Sequence, residues 1–288
     1  MAYVTVSEAL VLFKNSPVAM VPVTIADTST NVASNLDALN SLGSKLTSIT
    51  LSDTTVPLVI TATQLTADAS TLAKITGGVY SLAVSSVTAA NAATVVANTH
   101  VTAITLSETS LTGAQYTTAV AAKVTNTGLT ITAAAAFSAA TYYAADSHVS
   151  AITLSVTSLI KTYYTAAVAA KVTNTGLTIT SVTPAEAAAL ALDSHVASIN
   201  IAATSLSKAQ YTSALAAKIS NTGLTITSVA AADAAGLGID SHVAVISLSS
   251  ISISKAQYTA AVAAKVSTTG LTITDAGSAD AAGLGLDS

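Results

Sequence analysis

The stretch DSHVSAITLSVTSLIKTYYTAAVAAKVTNTGLTIT, from Asp146 to Thr180, returns in nearly the same words 47 residues later, and again 47 after that. Aligned on its histidine, it divides residues 100–288 into four repeats: His100–Ser147, His148–Ser194, His195–Ser241 and His242–Ser288. The first has 48 residues and the others 47. A period of this size marks a chain that stacks similar coils, because one coil cannot bury its apolar face alone and its neighbour can cover it.

Each repeat reads as strand, helix, strand, helix. HVTAITLS from His100 and GLTIT from Gly128 alternate apolar and hydroxyl residues, as strands do. Between them Tyr116, Val120 and Val124 recur at spacing four, as do Tyr164, Val168 and Val172, then Tyr211, Leu215 and Ile219, then Tyr258, Val262 and Val266. That spacing predicts a helix with one buried face. Lys123, Lys171, Lys218 and Lys265 fall in its last turn, where a cation suits the helix dipole. Gly128, Gly176, Gly223 and Gly270 are expected to end the helix in a left-handed conformation. The second helix is clearest in SVTPAEAAALALDS, where Thr183 caps, Pro184 fits the first helical position and Glu186 completes a capping box.

Stacking such coils in parallel predicts an α/β fold, a right-handed β/α solenoid with one parallel sheet and helices on the other side. Residues 21–99 read as divergent coils of the same solenoid: KLTSITLS from Lys45 matches HVTAITLS, and ITATQLTADASTLAKITGG from Ile60 matches the long helix with its glycine stop. Residues 1–20 read as an N-terminal cap, and residues 100–288 as the four regular repeats. Counted from Val21 there are about eleven strands, a stack on the order of 50 Å long.

Hydrophobic residues make up 51% of the chain and charged ones only 8%, with no cysteine, tryptophan or arginine. A net charge of -4 offers no electrostatic reason to approach nucleic acid or anionic lipid. Without cysteine there are no disulfides and no thiolate metal sites. No apolar run approaches the roughly 18 to 20 residues of a spanning helix. The first residues lack a basic segment followed by a long apolar core, so no cleavable signal peptide is expected.

The four histidines, His100, His148, His195 and His242, hold one repeat position just before a strand. Two coils apart, at roughly 9 to 10 Å, two imidazoles could not share one metal ion, and the column is read as turn-forming. Asp146, Asp193, Asp240 and Asp287 recur by the same symmetry in helix-end turns, so no residue is assigned as catalytic and no metal or other cofactor is expected. Thr130 and Thr132, Thr178 and Thr180, Thr225 and Thr227, and Thr272 and Thr274 alternate with core residues such as Leu129 and Ile131, so their hydroxyls are expected to form an outward ladder. Such an array also fits an ice-binding face.

Val101, Ile104 and Leu106, repeated as Val149, Ile152 and Leu154, resemble the L-x-x-L-x-L strand of leucine-rich repeats. The asparagine that follows in that family is absent, with Thr109 and Thr157 near its place, so the likeness implies architecture alone. VTIADTSTNVASNLDALNSL, ITATQLTADASTLAKI and the Ala/Thr/Val-rich coils resemble repeat regions of large bacterial secreted or surface proteins, including adhesin-like ones. That resemblance implies extracellular structural or adhesive duty. The expectation is a non-enzymatic extracellular protein that self-assembles through its coil ends, Val21–Asp27 and Leu271–Ser288, into a fibre, surface layer or adhesin stalk. The alternatives are a protein- or carbohydrate-binding repeat module, with contact to a surface or polysaccharide, and the ice-binding face.

Overall fold

The computed structural model describes residues 3–16, 21–277 and 280, in two compact units. The first unit comprises residues 1–134 and 142–153, the second residues 135–141 and 154–288.

The first unit begins with β1 (Tyr3–Val4), α1 (Val6–Asn15), β2 (Val23–Asp27), α2 (Ser29–Ser34), α3 (Leu36–Asn40) and β3 (Leu46–Leu51). It continues with β4 (Leu58–Thr61), α4 (Ala62–Ala67), α5 (Ala69–Leu72), β5 (Ile75–Thr76), β6 (Leu82–Val87) and α6 (Ala92–Val96). Then come β7 (Val101–Leu106), β8 (Ser110–Thr112), α7 (Thr118–Ala121), β9 (Leu129–Ala134) and β10 (Val149–Leu154), whose last residue falls in the second unit.

The second unit holds α8 (Ala136–Ser138), β11 (Ser158–Ile160), α9 (Ala166–Ala169), β12 (Leu177–Val182), α10 (Pro184–Leu192) and β13 (Val196–Ile201). It goes on through β14 (Ser205–Ser207), α11 (Ser213–Ala216), β15 (Leu224–Val229), α12 (Ala231–Ile239), β16 (Val243–Leu248), β17 (Ser252–Ser254), α13 (Ala260–Ala263) and β18 (Thr272–Thr274).

The protein is mixed α/β, and its short strands pair in parallel. The strand orders are β1-β2-β3-β5, β4-β6-β7 and β8-β9-β10, then β11-β12-β13, β14-β15-β16 and β17-β18, with no closed barrel among the described residues. One continuous sheet was expected; the strands instead spread over several small ones. The cause is a strand the repeat pattern did not announce, of the Ser110–Thr112 type. Leu111 in it pairs with Ile131, while Ile104, just before it, bridges Val124. In the second unit Leu206 likewise pairs with Ile226 while Ile199 bridges Ile219. A new ladder therefore opens in each repeat before the preceding one has ended.

The core is set by two different apolar spacings that meet. Strands of the β13 type place Val196, Ile199 and Ile201 inward, three then two residues apart, whereas β12 places Leu177, Ile179 and Val182 inward, two then three apart. Paired strands of strict alternation could not match these. A bulge in each reconciles them, so that Leu177 meets Val196, Ile179 meets Ile199 and Val182 meets Ile201. On β12 the bulge puts Ser181 at φ 58°, and Ser86, Ala133 and Ser228 take the same left-handed conformation in their own strands. All six core side chains of this pair are at most 3% exposed.

The helix between the strands is shorter than its stripe implied. Only Thr118–Ala121 is helical, capped by the Thr117 hydroxyl, which accepts from the Val120 N–H. Tyr116 precedes the helix and Val124 belongs to a β-bridge, although both are buried as expected. The glycines do adopt positive φ, Gly128 at 75° and Gly223 at 74°, but they do not stop the helix, which is already over at Ala122. They turn the chain into the next strand. The α10 helix starts where expected, with the Glu186 carboxylate accepting from both the N–H and the hydroxyl of Thr183.

Residues 3–16 pair with the coil that follows them. Tyr3 and Val4 pair with Thr24 and Ile25, and the Thr5–Glu8 capping box matches the Thr112–Gln115 contacts of the first repeat. Residues 17–20 and most of the segment after Gly277 lie outside the described residues. No helix among the described residues is long and apolar enough to cross a membrane.

Candidate functional site

The recurring histidine belongs to a polar node that the repeat builds at the end of its second helix. Asp193 follows α10 as its C-cap. Its Oδ1 accepts from the His195 backbone N–H at 2.9 Å and from His195 Nδ1 at 2.9 Å. Its Oδ2 accepts from the Tyr164 hydroxyl at 2.7 Å, and its backbone carbonyl from Lys218 Nζ at 2.7 Å. Asp240 repeats this set with His242, Tyr211 and Lys265. In the first unit Asp146 binds the N–H and ring of His148, both at 2.8 Å, and the Tyr116 hydroxyl at 2.7 Å.

A carboxylate only accepts, so Nδ1 of each of these imidazoles carries the proton. Burial works to raise the pKa of Asp193, but the bonds from Tyr164 and His195 outweigh it and hold the carboxyl below its usual range. Asp146 and Asp240 are depressed in the same way. The phenols move the other way: burial, then the adjacent carboxylate, pushes Tyr116, Tyr164 and Tyr211 upward. Each node joins a tyrosine from before its helix, an Asp and a His after it, and, in the second unit, a lysine from the coil that follows. Lys218 and Lys265 were expected to serve their own helices; they cap the carbonyl end of the previous one.

His100 departs from this scheme. Its backbone N–H binds Asn98 Oδ1, its Nδ1 lies 3.1 Å from the Tyr80 carbonyl, and its ring stacks on Tyr80 at 4.0 Å. Asp287, the fourth expected acid, lies outside the described residues. Among the described residues no three His, Cys, Asp or Glu side chains converge as metal ligands.

The threonine ladder is divided with the sheets. In the second unit Thr178 and Thr180 belong to β12, Thr225 and Thr227 to β15, and Thr272 and Thr274 to β18, in three separate sheets. Thr130 and Thr132 lie on β9 of the first unit. In three pairs the second hydroxyl turns back to the neighbouring strand: Thr132, Thr180 and Thr227 donate to the carbonyls of Leu111, Leu159 and Leu206 at 3.3 Å, whereas Thr274 donates to Asp275 Oδ2 at 3.3 Å. Thr130 through Thr227 are half-buried, and Thr272 and Thr274 are exposed.

Two surface clefts repeat in the second unit. One, of about 310 Å³, runs past Lys161, Tyr164, Glu186, Leu190 and Asp193. The other, of about 240 Å³, runs past the equivalent Lys208, Tyr211, Asp233, Leu237 and Asp240. Ion pairs span them, Lys161 to Glu186 at 3.5 Å and Lys208 to Asp233 at 3.6 Å. In the first repeat Gly113 stands at the lysine position and Tyr143 at the leucine position. There the Tyr143 hydroxyl reaches the Gly113 carbonyl at 2.8 Å and its ring meets Tyr116 edge-on.

Comparison with family models, curated proteins and solved structures finds no match for this chain.

Proposed function

We propose that this is a non-enzymatic structural protein of the cell exterior, its coils forming a right-handed β/α solenoid of leucine-rich-repeat-like architecture that assembles through coil ends. The observation that carries the reading is the sameness of the coils: β12 pairs with β13, and β15 with β16, in one register with the same two bulges, so each coil is shaped to pair with another of its kind. Ser181, Ser228 and Asp275 take the same bulge conformation, at φ 58°, 56° and 59°, so β18 is shaped for the same pairing. A strand edge so shaped is a template for a partner strand. A second copy is the partner that this reading assigns, giving a fibre, surface layer or adhesin stalk.

The test is sedimentation velocity over a concentration series with an Ile273→Pro variant. The Thr272 N–H already bonds back to Ile251, so proline at 273 removes an edge donor without touching that bond. Concentration-dependent growth of the parent that the variant lacks supports assembly through this edge; identical, constant sedimentation of both contradicts it.

A second reading, a binding module, is favoured by the paired clefts. In the first repeat an aromatic ring with a hydroxyl fills the corresponding space, and in the second unit two such spaces stand open, one repeat apart. A polysaccharide of regular ring spacing is the ligand class this reading names.

A further inference from the structure

A groove of about 350 Å³ opens in the first unit between α1 and the chain that leaves β2 and forms α2. One wall is α1, with Leu10, Val11 and Lys14; the other carries Asp27, Asn31 and Asn35. The walls run in the same direction, because the Val6 N–H that opens α1 donates to Asp27 Oδ2 at 2.9 Å, just before α2 begins. Lys14 lies eight residues beyond Val6, and Asn35 eight beyond Asp27. Eight helical residues rise about 12 Å, so an anion stands at one end of the groove and a cation at the other.

The polar wall is held in place and only partly spent. Asp27 Oδ1 accepts from the Thr28 N–H at 2.8 Å and from Asn31 Nδ2 at 2.7 Å. With the Val6 bond, that fills three of the carboxylate's roughly four acceptor places. Asn35 Nδ2 donates to the Asn31 carbonyl at 2.9 Å. One N–H of each amide is therefore engaged, which orients it. The Oδ1 atoms of Asn31 and Asn35 and the Lys14 ammonium have no partner among the described residues. Glu8, the other charged residue of α1, is taken up by Thr5. Opposite the oxygens Val11 is 54% exposed, so the aliphatic wall is open as well.

We propose that this groove binds a short extended peptide with free ends, its ammonium at Asp27, its carboxylate at Lys14 and its backbone N–H groups on the asparagine oxygens. The lengths agree. An extended chain rises about 3.3 Å per residue, so about four residues reach from one charge to the other. N–H groups on one side of such a chain recur every second residue, at about 6.6 Å. The step from Asn31 to Asn35, four helical residues, is about 6 Å. Small aliphatic side chains on the opposite side of the peptide meet Leu10 and Val11. A neutral sugar could use the asparagine oxygens but would leave both end charges unanswered, whereas a peptide with free ends answers each. The groove is separate from the clefts of the second unit and from β18, so it stands whether or not the chain assembles.

The test is calorimetric titration of the full chain with tetraalanine near neutral pH, which should give one site. Acetylating the peptide's amine or amidating its carboxylate removes one charged contact, and each change should weaken binding about tenfold. Lys14→Met should weaken the free peptide about tenfold and leave the affinity for the amidated one unchanged, because the carboxylate it would meet is already gone. Lys255→Met, a control in the second unit, should alter neither. Absence of binding by millimolar tetraalanine would overturn the assignment, whether or not cellotetraose binds in its place. So would a loss on Lys14→Met that is equal for the free and the amidated peptide.

Discussion

The side-chain amide of Asn221 closes on the backbone of Ile201, accepting its N–H at 2.6 Å and donating to its carbonyl at 2.9 Å. Asn126 does the same to Leu106, and Asn174 to Leu154. The side-chain amide presents an N–H and an oxygen in one plane, so each asparagine acts as one residue of a neighbouring strand where the true strand has turned away. In the last repeat Thr268 stands in its place, and its hydroxyl accepts from the Leu248 N–H at 2.8 Å.

Replacing Asn221 by alanine leaves both backbone groups of Ile201 without these bonds and should cost about 1 to 3 kcal/mol. Thr268→Asn should do the reverse, adding a bond to the Leu248 carbonyl worth about 0.5 to 1.5 kcal/mol. Urea unfolding of the two variants, read at unchanged slope, measures both.

The nodes predict losses of stability at both ends of the pH scale. Asp146, Asp193 and Asp240 have depressed folded pKa values, so what they contribute is present above the unfolded value of about 4 and is lost as pH falls through the folded one. Tyr116, Tyr164 and Tyr211 have raised ones, so their contribution is intact below about 10 and is lost as pH rises further. Tyr211→Phe leaves Asp240 Oδ2 without its phenol partner and should cost about 1 to 3 kcal/mol at neutral pH. It should also flatten the alkaline limb of a stability–pH curve followed by circular dichroism.

Gly113 and Tyr143 form a matched pair. A Cβ at Gly113 would lie 3.3 Å from both the Ala134 Cα and the Tyr143 hydroxyl. Gly113→Lys alone should therefore destabilise by about 1 to 3 kcal/mol through crowding. Combined with Tyr143→Leu, which restores the pairing seen at Lys161 and Leu190, it should recover part of that loss. A double-mutant cycle with no coupling between the two would refute the match.

The regular features of the fold were legible wherever one residue's chemistry decided them. Leu129 and Ile131 are inward, Gly128 is left-handed, and Thr183 with Glu186 opens α10. What escaped depended on contacts between coils. The short Ser110–Thr112 strand looks like a loop until Ile131 pairs with it. The stripe of Tyr116, Val120 and Val124 obeys helical spacing, yet burial alone imposed it, because a turn, a brief helix and a bridge can all face the same core. The histidine, tyrosine, aspartate and lysine positions each drew notice by recurring, but their joining in one node did not show. Tyr164 lies 29 residues from Asp193, and Lys218 lies 25 beyond it, separations that only the stacking of coils brings together. The clamp of Asn221 was hidden for the same reason, inside a motif that read as a helix stop.

The central claim is that these coils are parts of a self-assembling structure, and electron microscopy of the purified chain over a concentration series tests it most directly. The account predicts separate particles when dilute and ordered filaments or layers, with a regular repeat, as concentration rises. Separate particles at every concentration would contradict it.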